Sequence, residues 1–284
     1  MKKVIGFLRI IRPINCVMMG FAVIVGAIIS TKGRIPGGGI VNLMLGFITA
    51  FTLTGASMAI NDYYDREIDA INEPSRPIPS GLISPMESIA IFTALTIIGL
   101  LSAMLINNLC LLLALASIIV STLYSTSGKR TGLPGNIMVS ACVSMPFIYG
   151  GTCVRGLVEP GTLIFAAMAF LINTGREIIK GIADIEGDKV GGIKTLAISY
   201  GPKRAAEAAL ALIITAVAIS PLPVTLNLTN MWFIPLLLIA NTGFIISAIS
   251  VAKNTTRENS KKAKKAILAC MLISLIAFLV GTIK

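Results

Sequence analysis

Apolar and polar positions along this chain alternate in long blocks, not in short periods. Apolar segments fall at 14–31, 39–60, 86–106, 109–126, 136–153, 160–179, 204–220, 231–252 and 265–283. Each is close to the roughly 20 residues with which a helix crosses about 30 Å of hydrocarbon. Only Asn107 and Asn108 divide the third segment from the fourth, and Pro146, Gly150 and Gly151 interrupt the fifth. Nine spans are expected, with eight as the alternative count. The pattern predicts an all-α polytopic membrane protein with a single transmembrane domain over residues 1–284. Two similar halves would lie at 14–130 and 136–252, with a last helix at 265–283. Lys2 and Lys3 precede an apolar stretch as a secretory leader would, but Arg9, Arg12 and Pro13 break it and no small-residue cleavage site follows. Residues 1–13 therefore read as a basic interfacial segment.

Composition removes the soluble alternatives. Apolar residues make up 55% of the chain and charged residues 13%, where a soluble globular chain carries roughly 25% charged residues. The five cysteines (Cys16, Cys110, Cys142, Cys153 and Cys270) lie in or beside apolar segments without CxxC spacing, and there is no histidine. A disulfide framework and a His-containing zinc or haem site are both disfavoured. A net charge of +11 would point to nucleic acid in a soluble protein. In a membrane protein it points to cytoplasmic loops and anionic lipid headgroups, so neither nucleic acid nor an obligate protein partner is expected.

Charge also orients the spans. With a cytoplasmic N-terminus and nine crossings, 20 of the 24 Lys and Arg residues fall on inner segments, leaving Lys32, Arg34, Arg155 and Lys284 outside. That is the bias that the positive-inside rule describes, and it puts the C-terminus outside the plasma membrane. All the acids except Glu159, twelve of thirteen, gather in or beside the same inner loops. Acids contribute little to topology, so another cause must collect them.

The second apolar segment runs into Asn61-Asp62-Tyr63-Tyr64-Asp65-Arg66-Glu67-Ile68-Asp69. On a helix Asp62, Asp65 and Asp69 share one face. Stacked acids repel one another, and a bound cation would offset the repulsion. Oxygen ligands without imidazole or thiolate indicate a hard ion such as Mg²⁺, which keeps waters and holds substrate phosphates. The sixth segment ends in a second cluster, from Arg176-Glu177 through Lys180 to Asp184 and Asp188, where the last two again share a face. Two such clusters at one membrane face suit two metal ions gripping a diphosphate leaving group. Solvated charges at helix ends would explain one aspartate; two rows in a chain with thirteen acids are better explained by function. Tyr124-Ser125-Thr126-Ser127-Gly128-Lys129-Arg130 follows the fourth segment. Lys129 and Arg130 are either topogenic anchors or a phosphate clamp, one a point charge and the other a bidentate fork. Arg12-Pro13-Ile14-Asn15 at the mouth of the first span is a weaker candidate.

The paired NDxxDxxxD and DxxxD patterns, about 120 residues apart, resemble those of the UbiA superfamily of intramembrane prenyltransferases. The likeness covers essentially the whole chain, including Tyr124, Lys129, Arg130, Arg12 and Asn15. It implies nine helices around a cytoplasm-facing opening and dependence on Mg²⁺. It further implies that Asn61, Asp62, Asp65, Asp69, Asp184 and Asp188 hold the metal, with Asp65 and Asp184 central to catalysis. Lys129, Arg130 and Lys180, with Arg76 or Arg176, would take up charge on the departing diphosphate while the acceptor captures an allylic cation; Tyr63, Tyr64 or Tyr124 could face that cation. The stretch Asn72-Glu73-Pro74-Ser75-Arg76-Pro77-Ile78-Pro79-Ser80-Gly81 is similar to that of the branch that alkylates geranylgeranylglyceryl phosphate to form the second ether bond of archaeal membrane lipids. The substrates would then be a prenyl diphosphate and a lipid phosphate. Branches with aromatic acceptors (4-hydroxybenzoate, naphthoate) carry the same Arg-Pro-hydrophobic-Pro-Ser-Gly element. A secondary transporter is the reading from a different class, but transporters place binding groups near the midplane of interrupted helices, whereas these acids sit at span ends.

Overall fold

The structure, a computed structural model, describes residues 2–282. The order of helices is α1 (Lys2–Ile11), α2 (Pro13–Ser30), α3 (Gly39–Asn72), α4 (Pro85–Met104), α5 (Asn108–Thr126), α6 (Leu133–Arg155), α7 (Pro160–Ala183), α8 (Ile185–Val190), α9 (Leu196–Tyr200), α10 (Pro202–Ile219), α11 (Leu222–Thr225), α12 (Phe233–Lys253) and α13 (Arg257–Thr282). A short 3-10 turn covers Gly128–Thr131, and no strand occurs among the described residues. Within them, nine helical stretches are long and apolar enough to cross a membrane, at the nine places expected.

The two thin boundaries have local causes. Asn107 interrupts the apolar run between α4 and α5 because its side chain caps α5, accepting from the Cys110 amide at 2.8 Å. Its amide nitrogen also donates to the Thr152 carbonyl at 3.2 Å, tying the turn to the end of α6. Pro146 is carried inside an unbroken α6. Gly150 serves packing, since a Cβ there would overlap the Val23 carbonyl of α2, and one at Gly26 would overlap the Phe147 carbonyl of α6. The two backbones touch, as small residues allow inside a membrane.

Two helices run well past their apolar segments. The 34-residue α3 spans about 50 Å at 1.5 Å per residue, carrying the first acidic motif on an unbroken extension. The 26-residue α13 begins eight residues before its apolar segment, because Arg257–Lys264 is helical although polar. By contrast α7 breaks at Asp184, which forms the corner with α8. The helix α1 precedes the first span and exposes Val4, Ile5, Phe7 and Leu8 while burying Ile10 and Ile11. Lys3 anchors it to Glu87 of α4 at 2.6 Å, and Arg12 turns the chain into α2 through a left-handed backbone conformation (φ 52°).

Candidate functional site

A cavity of about 570 Å³ opens among α2, α3, α5, α6, α7 and α13. Its mouth is polar, lined by Arg12, Asn61, Arg76, Arg176, Lys180 and Lys264. Its body is apolar, with Met18, Leu53, Ile118 and Val143 on the walls and Thr49 and Tyr149 deep inside. From Asn61 to Thr49 the cavity follows α3 for twelve residues, about 18 Å of helix rise. Such a shape receives a charged head and a long apolar tail.

The acids lie at the mouth, buried and sheathed by cations. Asp62 is 1% exposed and Asp65 3%. Arg12 pairs with one oxygen of Asp62, and Arg76 reaches the same oxygen at 3.2 Å and Asp69 at 2.6 Å. Lys129 meets Asp65 at 2.6 Å, and Asn61 donates to the same Asp65 oxygen at 2.7 Å. The helical register of Asp62, Asp65 and Asp69 therefore delivers all three to one row of cations, as their spacing predicts. Burial lowers the pKa of Arg76, but Asp69, Asp62 and Asp65 together raise it above the ordinary value. Its charge is fixed.

The second motif joins from the α7–α8 corner. Asp184 has Lys264 at 3.6 Å, and Asp188 is also buried. Burial drives the Asp188 carboxyl up to about 6; Lys129 opposes that shift and Asp184 adds to it. Asn72, at the end of α3, clasps the corner by accepting from the Gly187 amide at 3.2 Å and donating to the Asp184 carbonyl at 3.3 Å. This clasp holds the two acidic motifs beside each other, and α13 closes over it through Arg257 to Glu186 at 2.6 Å.

Of the residues singled out in the sequence, Arg12, Asn15, Asn61, Arg76, Tyr124, Arg176 and Lys180 line the cavity. The aspartates lie just behind it. Arg130 does not join them. It is exposed on the 3-10 turn and meets its surroundings through its backbone carbonyl, which accepts from the Lys194 amide at 3.2 Å. Three participants were not singled out. Glu177, buried on α7, holds Arg176 at 2.8 Å and Lys180 at 3.0 Å, so those two cations are set by an acid between them in sequence. The others are Asn72 and Lys264. The Arg176-Glu177 adjacency was the visible signal for the first; a single Asn and one Lys in a basic run gave none for the others.

The donor set fits a hard divalent ion. Every candidate ligand is an oxygen, and Asp62 Oδ2 and Asp184 Oδ1 are buried without a hydrogen-bond partner. Among the described residues no three acidic or thiol side chains converge on one point. An ion held here would complete its shell with water and phosphate oxygens, as Mg²⁺ commonly does.

The chain matches the UbiA prenyltransferase family over residues 19–276. It is 34% identical over 285 residues to the digeranylgeranylglyceryl phosphate synthase of Methanosarcina mazei, covering 97% of both chains. A solved structure of a digeranylgeranylglyceryl phosphate synthase superposes with a TM-score of 0.76 at 33% identity, covering 100% of this chain and 99% of that one. The fold is also shared with a UbiA homologue from Archaeoglobus fulgidus solved with GPP and Mg²⁺. That comparison gives a TM-score of 0.63 at 20% identity over 97% of this chain and 100% of the other.

Proposed function

The chain belongs to the UbiA prenyltransferase family, and on that premise we propose that it transfers a geranylgeranyl group from geranylgeranyl diphosphate to geranylgeranylglyceryl phosphate, with Mg²⁺ as cofactor. The observation that carries this reading is the likeness along the whole chain to synthases of that product. The cavity's charged mouth and apolar body suit the same substrates.

Asn61, Asp62, Asp65 and Asp69 on α3, with Asp184 and Asp188 at the α7–α8 corner, would hold magnesium, two ions on the reading of paired motifs. Bound there, magnesium would neutralise the diphosphate as it leaves. Arg12 and Arg76, which now pair with the acids, are in reach of the same head group, and Lys129, paired with Asp65 from the 3-10 turn after α5, would join them. The Glu177 carboxylate orients Arg176 and Lys180 toward the mouth. The donor's C1–O bond breaks with its electron pair going to the diphosphate. The acceptor hydroxyl oxygen then bonds to C1, and its proton passes to the departing diphosphate. Apolar walls exclude the water that would otherwise capture the allylic cation. Tyr124, buried at the cavity wall, would offer its ring to that cation.

The protein is a multi-pass membrane protein. The excess of Lys and Arg on one side favours a cytoplasmic N-terminus and an extracellular C-terminus, with the mouth facing the cytoplasm. The reaction is tested by following diphosphate release from geranylgeranyl diphosphate. Release that needs both Mg²⁺ and the lipid-phosphate acceptor is expected. Release unaffected by EDTA would contradict the proposal.

A further inference from the structure

We infer that α13 is the acceptor's track, its Lys264 taking the phosphate of the lipid acceptor and the apolar face below it guiding the acceptor's tail into a second cavity. This inference rests on the function proposed above and adds where the second substrate binds.

The first observation is a loosely paired cation. The Lys264 side chain is only 14% exposed and lines the mouth of the large cavity. Its nearest carboxylate oxygens, on Asp184 and Glu73, are 3.6 and 3.7 Å away. Both are outside hydrogen-bond distance, and among the described residues the ammonium donates no hydrogen bond to the protein. Lys264 is half-buried, and a cation so placed usually finds closer hydrogen-bond acceptors. Among the described residues Lys264 makes only these two long ion pairs, so its N–H donors can turn to an anion from the cavity. Arg12, Arg76 and Lys129 are each committed to α3 carboxylates and Arg176 and Lys180 to Glu177, which leaves Lys264 as the mouth cation with the longest ion-pair distances. Lys261, one turn earlier, lies 3.4 Å from the same Glu73 oxygen that Lys264 approaches and adds positive charge to the same spot.

The second observation is the face beneath it. Lys264, Leu268, Met271, Leu275 and Phe278 follow one another at steps of four and three, which align on one side of a helix. Lys264, Leu268 and Met271 line the large cavity. Met271, Leu275 and Phe278 line a smaller one of about 60 Å³. The two cavities share Met18, Met19, Val143 and Met271 as a common wall. One helix face therefore runs from a loosely paired ammonium, past the large cavity, into a separate apolar pocket.

Two substrates that each carry a long isoprenoid tail need two paths. The large cavity follows α3 toward Thr49 and Tyr149, behind the acidic motifs that suit the diphosphate, and gives the donor its path. The α13 stripe leads the other way, among α7, α10 and α12. A pocket of 60 Å³ holds the end of a branched chain; the rest of the tail would lie against Leu268 and Met271, where methionine side chains yield readily.

The test is steady-state transfer in neutral detergent by the full-length protein, with the two substrates varied separately. Lys264→Ala is expected to raise the KM for geranylgeranylglyceryl phosphate about tenfold or more, the scale of a lost charge-assisted hydrogen bond, and to leave the KM for geranylgeranyl diphosphate within about twofold. Lys264→Arg should recover most of the acceptor affinity. Leu275→Trp, which fills the small pocket, should raise the KM for the full-length acceptor but not for one with a short alkyl chain. Adding an anionic phospholipid separates acceptor binding from general capture of lipid phosphate: wild-type KM should be little changed. Competition abolished by Lys264→Ala would assign the lysine to bulk lipid and overturn the inference. An equal rise in both KM values, or no rise in either, would also overturn it while leaving the reaction intact. If the wild-type protein transferred nothing to the lipid phosphate, the proposed function itself would fail, and the acceptor track with it.

Discussion

Asp62 and Asp65 are nearly inaccessible, yet both remain ion-paired, and burying paired charges seldom stabilises a protein more than a well-packed apolar cluster of similar volume. Their placement is better explained by what they hold. Asp65→Asn keeps the volume and the Asn61 contact while removing the charge. It should reduce turnover by at least about a hundredfold while eluting as a monodisperse species in detergent; near-normal turnover would remove the metal assignment. Glu177→Gln is a positioning test. Without its carboxylate Arg176 and Lys180 lose their common anchor, so kcat should fall about ten- to a hundredfold, with partial rescue in Glu177→Asp. Asp188, raised to about 6 by burial, adds a pH effect. Below that value it takes up a proton and ceases to compete for a cation, so half-saturating Mg²⁺ should rise as pH falls through about 6. At this scale the aspartates and Arg12, Arg76 and Lys129 were legible because their spacing or motif context is local. Asn72 and Lys264 meet groups on other helices, which sequence spacing does not express, whereas Glu177 holds its own sequence neighbours and its signal was local.

Among the elements, hydropathy located the nine spans because the bilayer demands length and apolarity of every crossing helix. It missed how far α3 and α13 extend beyond the membrane, since a polar helix turn and a polar loop look alike in hydropathy. That matters for α13, whose polar first turns carry Lys261 and Lys264 onto the same rod as Met271. The Gly150 and Gly26 contacts make α2 and α6 a rigid pair behind the cavity. Gly150→Val would force the backbones apart, and overpacking of this kind costs about 1–3 kcal/mol. Thermal unfolding in detergent should shift down by several degrees, whereas an unchanged transition would show that the contact yields. Arg130 is the opposite case. Adjacent to Lys129 in sequence, it is turned out to the surface by the 3-10 turn, so Arg130→Ala should leave transfer within about threefold of wild type while Lys129→Ala does not.

For the whole molecule, the architecture sets acidic and basic groups at one end of a bundle and apolar walls through its depth. The charge bias predicts which end faces the cytoplasm. A cysteine introduced as Glu258→Cys should react with a membrane-impermeant thiol reagent only after the cell is opened; labelling from outside would invert the orientation. The measurement that tests the central claim most directly is transfer of labelled geranylgeranyl from its diphosphate in detergent with Mg²⁺, with geranylgeranylglyceryl phosphate and 4-hydroxybenzoate offered separately. The account predicts a doubly alkylated glyceryl phosphate, lost in EDTA and restored by Mg²⁺. A prenylated phenol with no ether-lipid product would contradict the assigned acceptor.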